Sequence, residues 1–313
     1  MSDLVDAILP LILLGAFGWG LRLVGFLDAA RRTALESMVY YALIPPLMIH
    51  ALTRTPIELA VVAPLAVVVL VPIGLVMLVV FALRALAPAS TFWLNGPGLP
   101  PTIMGVTRNN IFLVLAASQA LLGDAAAALV AIAAMIYVPT VNVIGVVACM
   151  RYGTAERTAM WATVRALSSN PLILGTLAGL VLNVTGIGLP GPLEPAAGLL
   201  SASTLPLAIV CVGAGLTLPA VRAAPLGLVV NAALKLVAMP LMGFAVCVWL
   251  EVPDELALAV ILYHTGPTAA GGYILAKQLG GDAYYMAAII TTQTLAAALT
   301  MPLVFGLLSG FYA

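Results

Sequence analysis

Carboxylates are almost missing from the apolar stretches of this sequence. Of 313 residues only 12 are Asp or Glu and 12 Lys or Arg; charged residues make up 8% and hydrophobic ones 63%. An ordinary soluble domain has about a quarter of its residues charged, so the mean hydropathy of +1.17 describes an integral membrane protein. The net charge of zero argues against a nucleic-acid partner. Cysteine is scarce too: Cys149, Cys211 and Cys247 lie in apolar runs without metal-ligand spacing, so neither a disulfide framework, a metal nor a cofactor is implied. Also lacking are the alternating ten-residue runs of a membrane β-barrel; the apolar runs last about twenty residues, the length a helix needs to cross the hydrocarbon.

What is present is a set of ten candidate spans, at 4–24, 34–52, 59–83, 103–122, 125–150, 170–186, 196–218, 225–249, 256–276 and 284–308. The longest links, 84–102 and 151–169, read as loops, and no link has room for a soluble domain. The amino terminus is acidic (Asp3, Asp6) where a secretory signal is basic, so the first run reads as a span. Odd-numbered links or their helix ends carry Arg22, Arg31, Arg32, Arg84, Arg151, Arg157, Arg165, Arg222 and Lys277; the even ones carry only Arg54. Basic residues stay on the cytoplasmic side, so both termini are expected on the outer side.

The chain repeats itself. Pro10-Leu11-Ile12-Leu13 recurs as Pro171-Leu172-Ile173-Leu174, and the same offset of 161 pairs Gly18 with Gly179, Leu21 with Leu182, Gly25 with Gly186 and Pro45 with Pro206. Further on, Gly123-Asp124-Ala125 returns as Gly281-Asp282-Ala283 at an offset of 158. The expectation is therefore a first five-helix repeat over 1–150, a cytoplasmic link over 151–169 and a second repeat over 170–313. An odd number of helices per repeat inverts one half relative to the other, the construction of many secondary transporters.

The ninth span contains Tyr263-His264-Thr265-Gly266-Pro267-Thr268-Ala269-Ala270-Gly271-Gly272-Tyr273. Three glycines and a proline within seven residues do not sustain one unbroken helix. In hydrocarbon an opened helix survives only where protein buries it or it lines a water-filled cavity. Its partner in the repeat is Arg108-Asn109-Asn110 of the fourth span. There the break rests on the asparagines, since Arg108 to Leu122 contains neither Pro nor Gly.

Deep polar residues are few, and the charged ones are cationic. Lys235 lies near the middle of the eighth span and Arg108 about six residues into the fourth, whereas Asp6, Glu36, Glu58, Asp124 and Asp282 all sit near span ends. A central cation costs about 2.5–3.5 kcal/mol or more unless compensated. Either the side chains snorkel or bond to carbonyls, or a mobile anion supplies the missing charge, which the N-terminus of a half-helix would also favour. Asn109, Asn110 and Asn142 could bind a carboxylate or bond between helices. Thr265 and Thr268, flanking Pro267, could bind through their hydroxyls or bond back to the helix. His264 is the deep group that could couple transport to protons, or it is a neutral hydrogen-bonded core histidine. His50, beside Arg54, reads as interfacial. Gln293, among Thr291, Thr292 and Thr294, faces either the site or a helix contact. Sodium coupling is disfavoured by the lack of deep carboxylates.

At these residues the chain resembles the auxin efflux carrier family of membrane transporters, in its bacterial malonate- or malate-permease-like form. The likeness runs through Arg108-Asn109-Asn110, Leu122-Gly123-Asp124 and Val138-Pro139-Thr140-Val141-Asn142-Val143, then Lys235-Leu236-Val237-Ala238-Met239-Pro240, Gly266-Pro267-Thr268-Ala269 and Tyr273 to Asp282. The resemblance implies an all-α, ten-helix, PIN-like fold, similar to that of bile-acid symporters, in which broken helices 4 and 9 cross. It further implies a scaffold of helices 1, 2, 6 and 7, a transport unit of helices 3–5 and 8–10, elevator-like alternating access, a homodimer and organic-anion cargo. The short link favours a bacterial inner-membrane protein.

The resulting expectation is a secondary transporter of small mono- or dicarboxylates, with the lipid bilayer and the anion as its partners. Asn109, Asn110, Asn142 and the Thr265-Gly266-Pro267-Thr268 segment are its binding residues, with Lys235 and Arg108 supplying positive potential. The alternatives are a transporter-fold sensor without turnover and a sodium-coupled symporter. An intramembrane enzyme lacks support, because His264 has no nucleophile at motif spacing and no acidic partner in the spans.

Overall fold

The computed structural model describes residues 2–54, 62–154, 171–216 and 224–312. Arg157, Arg165, Arg222, Glu58 and nearly all of the 151–169 link lie outside the described residues, as does the side chain of Asp6. Helices α1 (Ser2–Leu23), α2 (Ala29–Met38), α3 (Ile44–Thr53), α4 (Val62–Leu86), α5 (Leu99–Thr107) and α6 (Ile111–Tyr152) are followed by α7 (Pro171–Val184), α8 (Leu193–Ala214), α9 (Pro225–Ala233), α10 (Met239–Trp249), α11 (Asp254–Thr265), α12 (Gly271–Gln278) and α13 (Ala283–Ser309). The described residues contain no strand. Among them, six helical stretches are long and apolar enough to cross a membrane: Ala29–Thr53, Val62–Leu86, Gly96–Tyr152, Leu193–Ala214, Pro225–Trp249 and Ala283–Ser309. This is a multi-pass, all-helical membrane protein.

Several boundaries differ from the sequence reading for local reasons. The 84–102 stretch is not a plain loop. Helix α4 continues to Leu86, short 3₁₀ turns form at Phe92–Leu94 and Gly96–Gly98, and α5 already begins at Leu99. Pro100 and Pro101 fall in the first turn of α5, where a missing N–H breaks no helical bond. In α6, Gly123 adopts φ 83° and ψ −172°, a conformation a side chain would strain, and it divides this element into two helices at the Gly-Asp-Ala sequence. The second and eighth spans each widen into a π-turn, at Val39–Leu43 and Leu234–Ala238.

Helices α1, α3, α7 and α8 pack on one another: α1 on α8, and α3 on both α7 and α8. Small residues set these approaches. A Cβ on Gly18 of α1 would lie 2.0 Å from the Val210 carbonyl oxygen, and one on Gly179 of α7 3.0 Å from the Ile49 Cα, so backbone meets backbone at both places. The hydroxyl of Thr204 on α8 donates to the Leu43 carbonyl at 3.2 Å, across 161 residues. Helices α4, α5, α11 and α12 pack against α6, and Tyr137 and Tyr263 meet edge to face at 5.1 Å between α6 and α11.

Candidate functional site

Both helices expected to break do so, and they break against each other. Helix α5 stops at Thr107, where Arg108 turns extended (φ −77°, ψ 159°). Helix α6 restarts after Asn110, whose side-chain oxygen accepts from the Leu113 N–H at 3.3 Å. On the other side, α11 ends at Thr265, Gly266 is extended (φ −65°, ψ 140°), and α12 begins at Gly271. The backbone N–H of Asn110 donates to the Pro267 carbonyl at 2.7 Å, and the Asn109 side-chain amide donates to the Tyr263 carbonyl. Gly266 is required by proximity, since a Cβ there would lie 2.3 Å from both Asn109 Oδ1 and Val114 Cγ2.

Each opened turn exposes backbone groups that hydrocarbon cannot satisfy, and buried side chains take them up. The Tyr137 hydroxyl donates to the Thr107 carbonyl at 2.5 Å. Thr268 donates to the Met104 carbonyl at 3.2 Å, while Thr265 bonds back to Leu262 at 2.7 Å within its own helix. Gln293 is the hub. Its Oε1 accepts from the Thr268 N–H at 2.8 Å, and its Nε2 donates to the Gly105 carbonyl at 3.1 Å and to Asn231 Oδ1 at 2.8 Å. Asn231 in turn donates to the Thr102 carbonyl at 2.9 Å. Gln293 therefore ties α13 to both broken helices and to Asn231. Sequence reasoning missed Tyr137 and Asn231. The available signals were Tyr137 immediately before Val138-Pro139, and Asn231 one helical turn ahead of Lys235.

The two half-helices that start at the crossing differ electrostatically. The N-terminus of α6 is capped by Asn110, but that of α12 has no side-chain cap. Arg108 lies beside the α12 start: a Cβ on Gly271 would be 3.2 Å from its Nη2, and one on Gly272 3.4 Å from its Cδ. Its Nε and Nη1 are buried and make no hydrogen bond. A guanidinium and a helix N-terminus thus present positive charge to one place.

Lys235 is fully buried on its π-turn, which packs against α5, α11 and α13, and its ammonium makes no hydrogen bond. His264 is fully buried among Val68, Gly243 and Tyr137. Its Nε2 lies 3.4 Å from the Val68 carbonyl, and Nδ1 has no partner. His264 thus packs between α4, α10 and the Tyr137 ring. Asn142 is half-buried on α6, and no hydrogen bond joins it to the crossing among the described residues. His50 lines a cleft of about 400 Å³ between α1, α3, α6 and α8, with Arg54, Gln119 and Asp124 at the same cleft. No group of His, Cys, Asp and Glu that could hold a metal occurs among the described residues.

No curated protein is significantly similar to the chain. A family of proteins described as "Membrane transport protein" matches it over residues 154–305, a stretch that includes Lys235, the Gly266–Ala270 break and Gln293. The second half of the chain is thus similar to this family, which includes the auxin efflux carriers.

Proposed function

We propose that this membrane transporter is a secondary carrier of small organic anions, mono- or dicarboxylates, that binds its cargo at the crossing of the two broken helices. The observation that carries the reading is the placement of Arg108. Its buried Nε and Nη1 lack partners and lie beside the one half-helix N-terminus at the crossing that no side chain caps. An anion there gains charge-assisted hydrogen bonds and a helix-dipole interaction together. Asn109, Asn110 and the Gly266–Thr268 backbone shape the site. Lys235 adds positive potential from the interior of the same unit, with no fixed carboxylate to offset it.

The ten-helix inverted repeat belongs to this proposal. Contacts related by the sequence offset support it: Gly18 meets Val210, and Gly179 meets Ile49, the pair reached by moving both residues 161 positions. Thr204 and Leu43, bonded to each other, are themselves related by that offset. The mutual packing of α1, α3, α7 and α8 supports a scaffold of helices 1, 2, 6 and 7, past which the unit holding the crossing slides in an elevator cycle. Dimerisation through that scaffold, residence in a bacterial inner membrane and outward-facing termini complete the reading.

The test is uptake of labelled carboxylates into proteoliposomes. Lys235→Ala is expected to cut uptake while leaving expression and oligomeric state intact, and full uptake by that variant would sink the charge argument. Counterflow of labelled carboxylate is expected in the wild type; its absence would leave a sensor rather than a carrier.

A further inference from the structure

The ends of α4 and α6 bring two arginines onto one tyrosine. Arg84, in the last turn of α4, places its guanidinium carbon 4.5 Å from the Tyr152 ring centroid, and Arg151 places its own 5.4 Å from it. Two like charges held around one ring repel, and cation–π attraction at a water-facing site is a small return. Neither arginine is in an ion pair among the described residues. The single acid among the described residues 62–154 is Asp124, at the opposite end of the second half of α6, about 40 Å away along a helix; Glu156 lies outside the described residues. Thr154 joins the nearby α12–α13 turn through its N–H to the Gly280 carbonyl at 2.9 Å. The carboxylate of that turn, Asp282, is engaged in capping α13 through the Tyr285 N–H at 2.7 Å. The neighbouring element α12 packs against α6 and adds a further exposed cation, Lys277, in its last turn.

The depth of the cluster points to what could balance these charges. Helix α4 has 25 residues and is about 37 Å long at 1.5 Å per residue, against a hydrocarbon core of about 30 Å. Its last turn therefore emerges among lipid headgroups. An arginine fork matches two oxygens of a phosphate, and an amphipathic aromatic ring is favoured at that level. We propose that Arg84, Tyr152 and Arg151 form a binding site for the phosphodiester headgroup of an anionic phospholipid, bridging the ends of α4 and α6. The site is independent of the cargo site, since none of its residues reaches the helix crossing.

The experiment measures thermal unfolding of purified, delipidated protein. Added arms are phosphatidylglycerol in detergent, phosphatidylcholine in detergent, or inorganic phosphate at matched concentration. Wild-type protein is expected to gain a few degrees in Tm with phosphatidylglycerol over phosphatidylcholine, because a ligand that binds the folded state stabilises it. The variant R84Q/R151Q is expected to lose that increment while unfolding normally in phosphatidylcholine. R84K/R151K keeps the charge distribution that sets membrane orientation and is expected to retain part of the increment. The proposal is overturned if R84Q/R151Q keeps the full increment, which would make it a general surface-charge effect. It is equally overturned if phosphatidylglycerol gives the wild type no increment, or if inorganic phosphate reproduces it, which would make the cluster a free-anion site.

Discussion

The N–H of Asn110 donates to the carbonyl of Pro267 across 2.7 Å, joining the two broken helices backbone to backbone at their open turns. Each break thereby supplies a partner to a group the other has freed. Neither opening is stable alone in hydrocarbon, where a backbone group without a partner costs several kcal/mol.

This reciprocity makes Asn109 more than a polar lining residue, because its amide serves the Tyr263 carbonyl at the end of α11. Asn109→Leu leaves that carbonyl unpaired and is expected to destabilise the protein by about 1–3 kcal/mol. A lowered Tm in detergent would report it. An unchanged Tm would show that the contact does not hold the crossing together.

Gly266→Ala tests the closeness of the two breaks. The added methyl meets Asn109 Oδ1 and Val114 Cγ2 at 2.3 Å, and overpacking of this kind costs roughly 1–3 kcal/mol. Loss of both thermal stability and uptake is expected. A fully active, fully stable variant would contradict the contact.

Tyr137→Phe removes only the hydroxyl that serves Thr107, keeping the ring and its packing on Tyr263. The expected cost is about 1–3 kcal/mol, read as a fall in Tm. Tyr137→Leu should cost more, since the aromatic contact goes as well.

Arg108→Gln separates charge from shape at the proposed cargo site. Carboxylate uptake is expected to fall at least tenfold, a loss of about 1.4 kcal/mol or more in transition-state stabilisation. A similar loss for Arg108→Lys would mean that the guanidinium fork, not charge alone, is required. If Arg108→Gln transports normally, the anion does not sit at the α12 N-terminus.

The repeat predicts a graded pair of effects. Gly18→Ala drives a methyl into the Val210 carbonyl at 2.0 Å, whereas Gly179→Ala meets the Ile49 Cα at 3.0 Å. Both should lower Tm, Gly18→Ala more steeply, because its methyl would overlap backbone far more deeply than that of Gly179→Ala. The reverse order would argue against the tight α1–α8 approach.

Much of this could be read from residues alone. Gly266, Pro267, Gly271 and Gly272 forbid a continuous helix whatever surrounds them, and the offset of 158 pointed from them to Arg108-Asn109-Asn110 without coordinates. The roles of individual polar groups could not be read in this way. Thr265 and Thr268 flank the same proline, yet one bonds within its helix and the other reaches across to Met104. Sequence spacing states which residues are near along the chain, but hydrogen-bond partners drawn from α5, α6 and α13 depend on how those helices cross. For the same reason Tyr137 went unnoticed, being some thirty residues from the carbonyl it serves.

By itself the sequence determined that the protein lives in a bilayer, that its spans are helices, where one of them must open, and that its deep charges are positive. Those properties follow from composition, run length and the backbone limits of glycine and proline, which act locally. Only the tertiary structure decided that the second opening, which has neither proline nor glycine, forms at all. That opening holds because the Asn110 N–H meets the Pro267 carbonyl, the Asn109 amide serves the Tyr263 carbonyl, and Tyr137 and Gln293 donate to the Thr107 and Gly105 carbonyls of α5. The tertiary structure also decided that Arg108 lies beside the start of α12. That depends on how the two broken helices cross, a fact of packing and not of spacing.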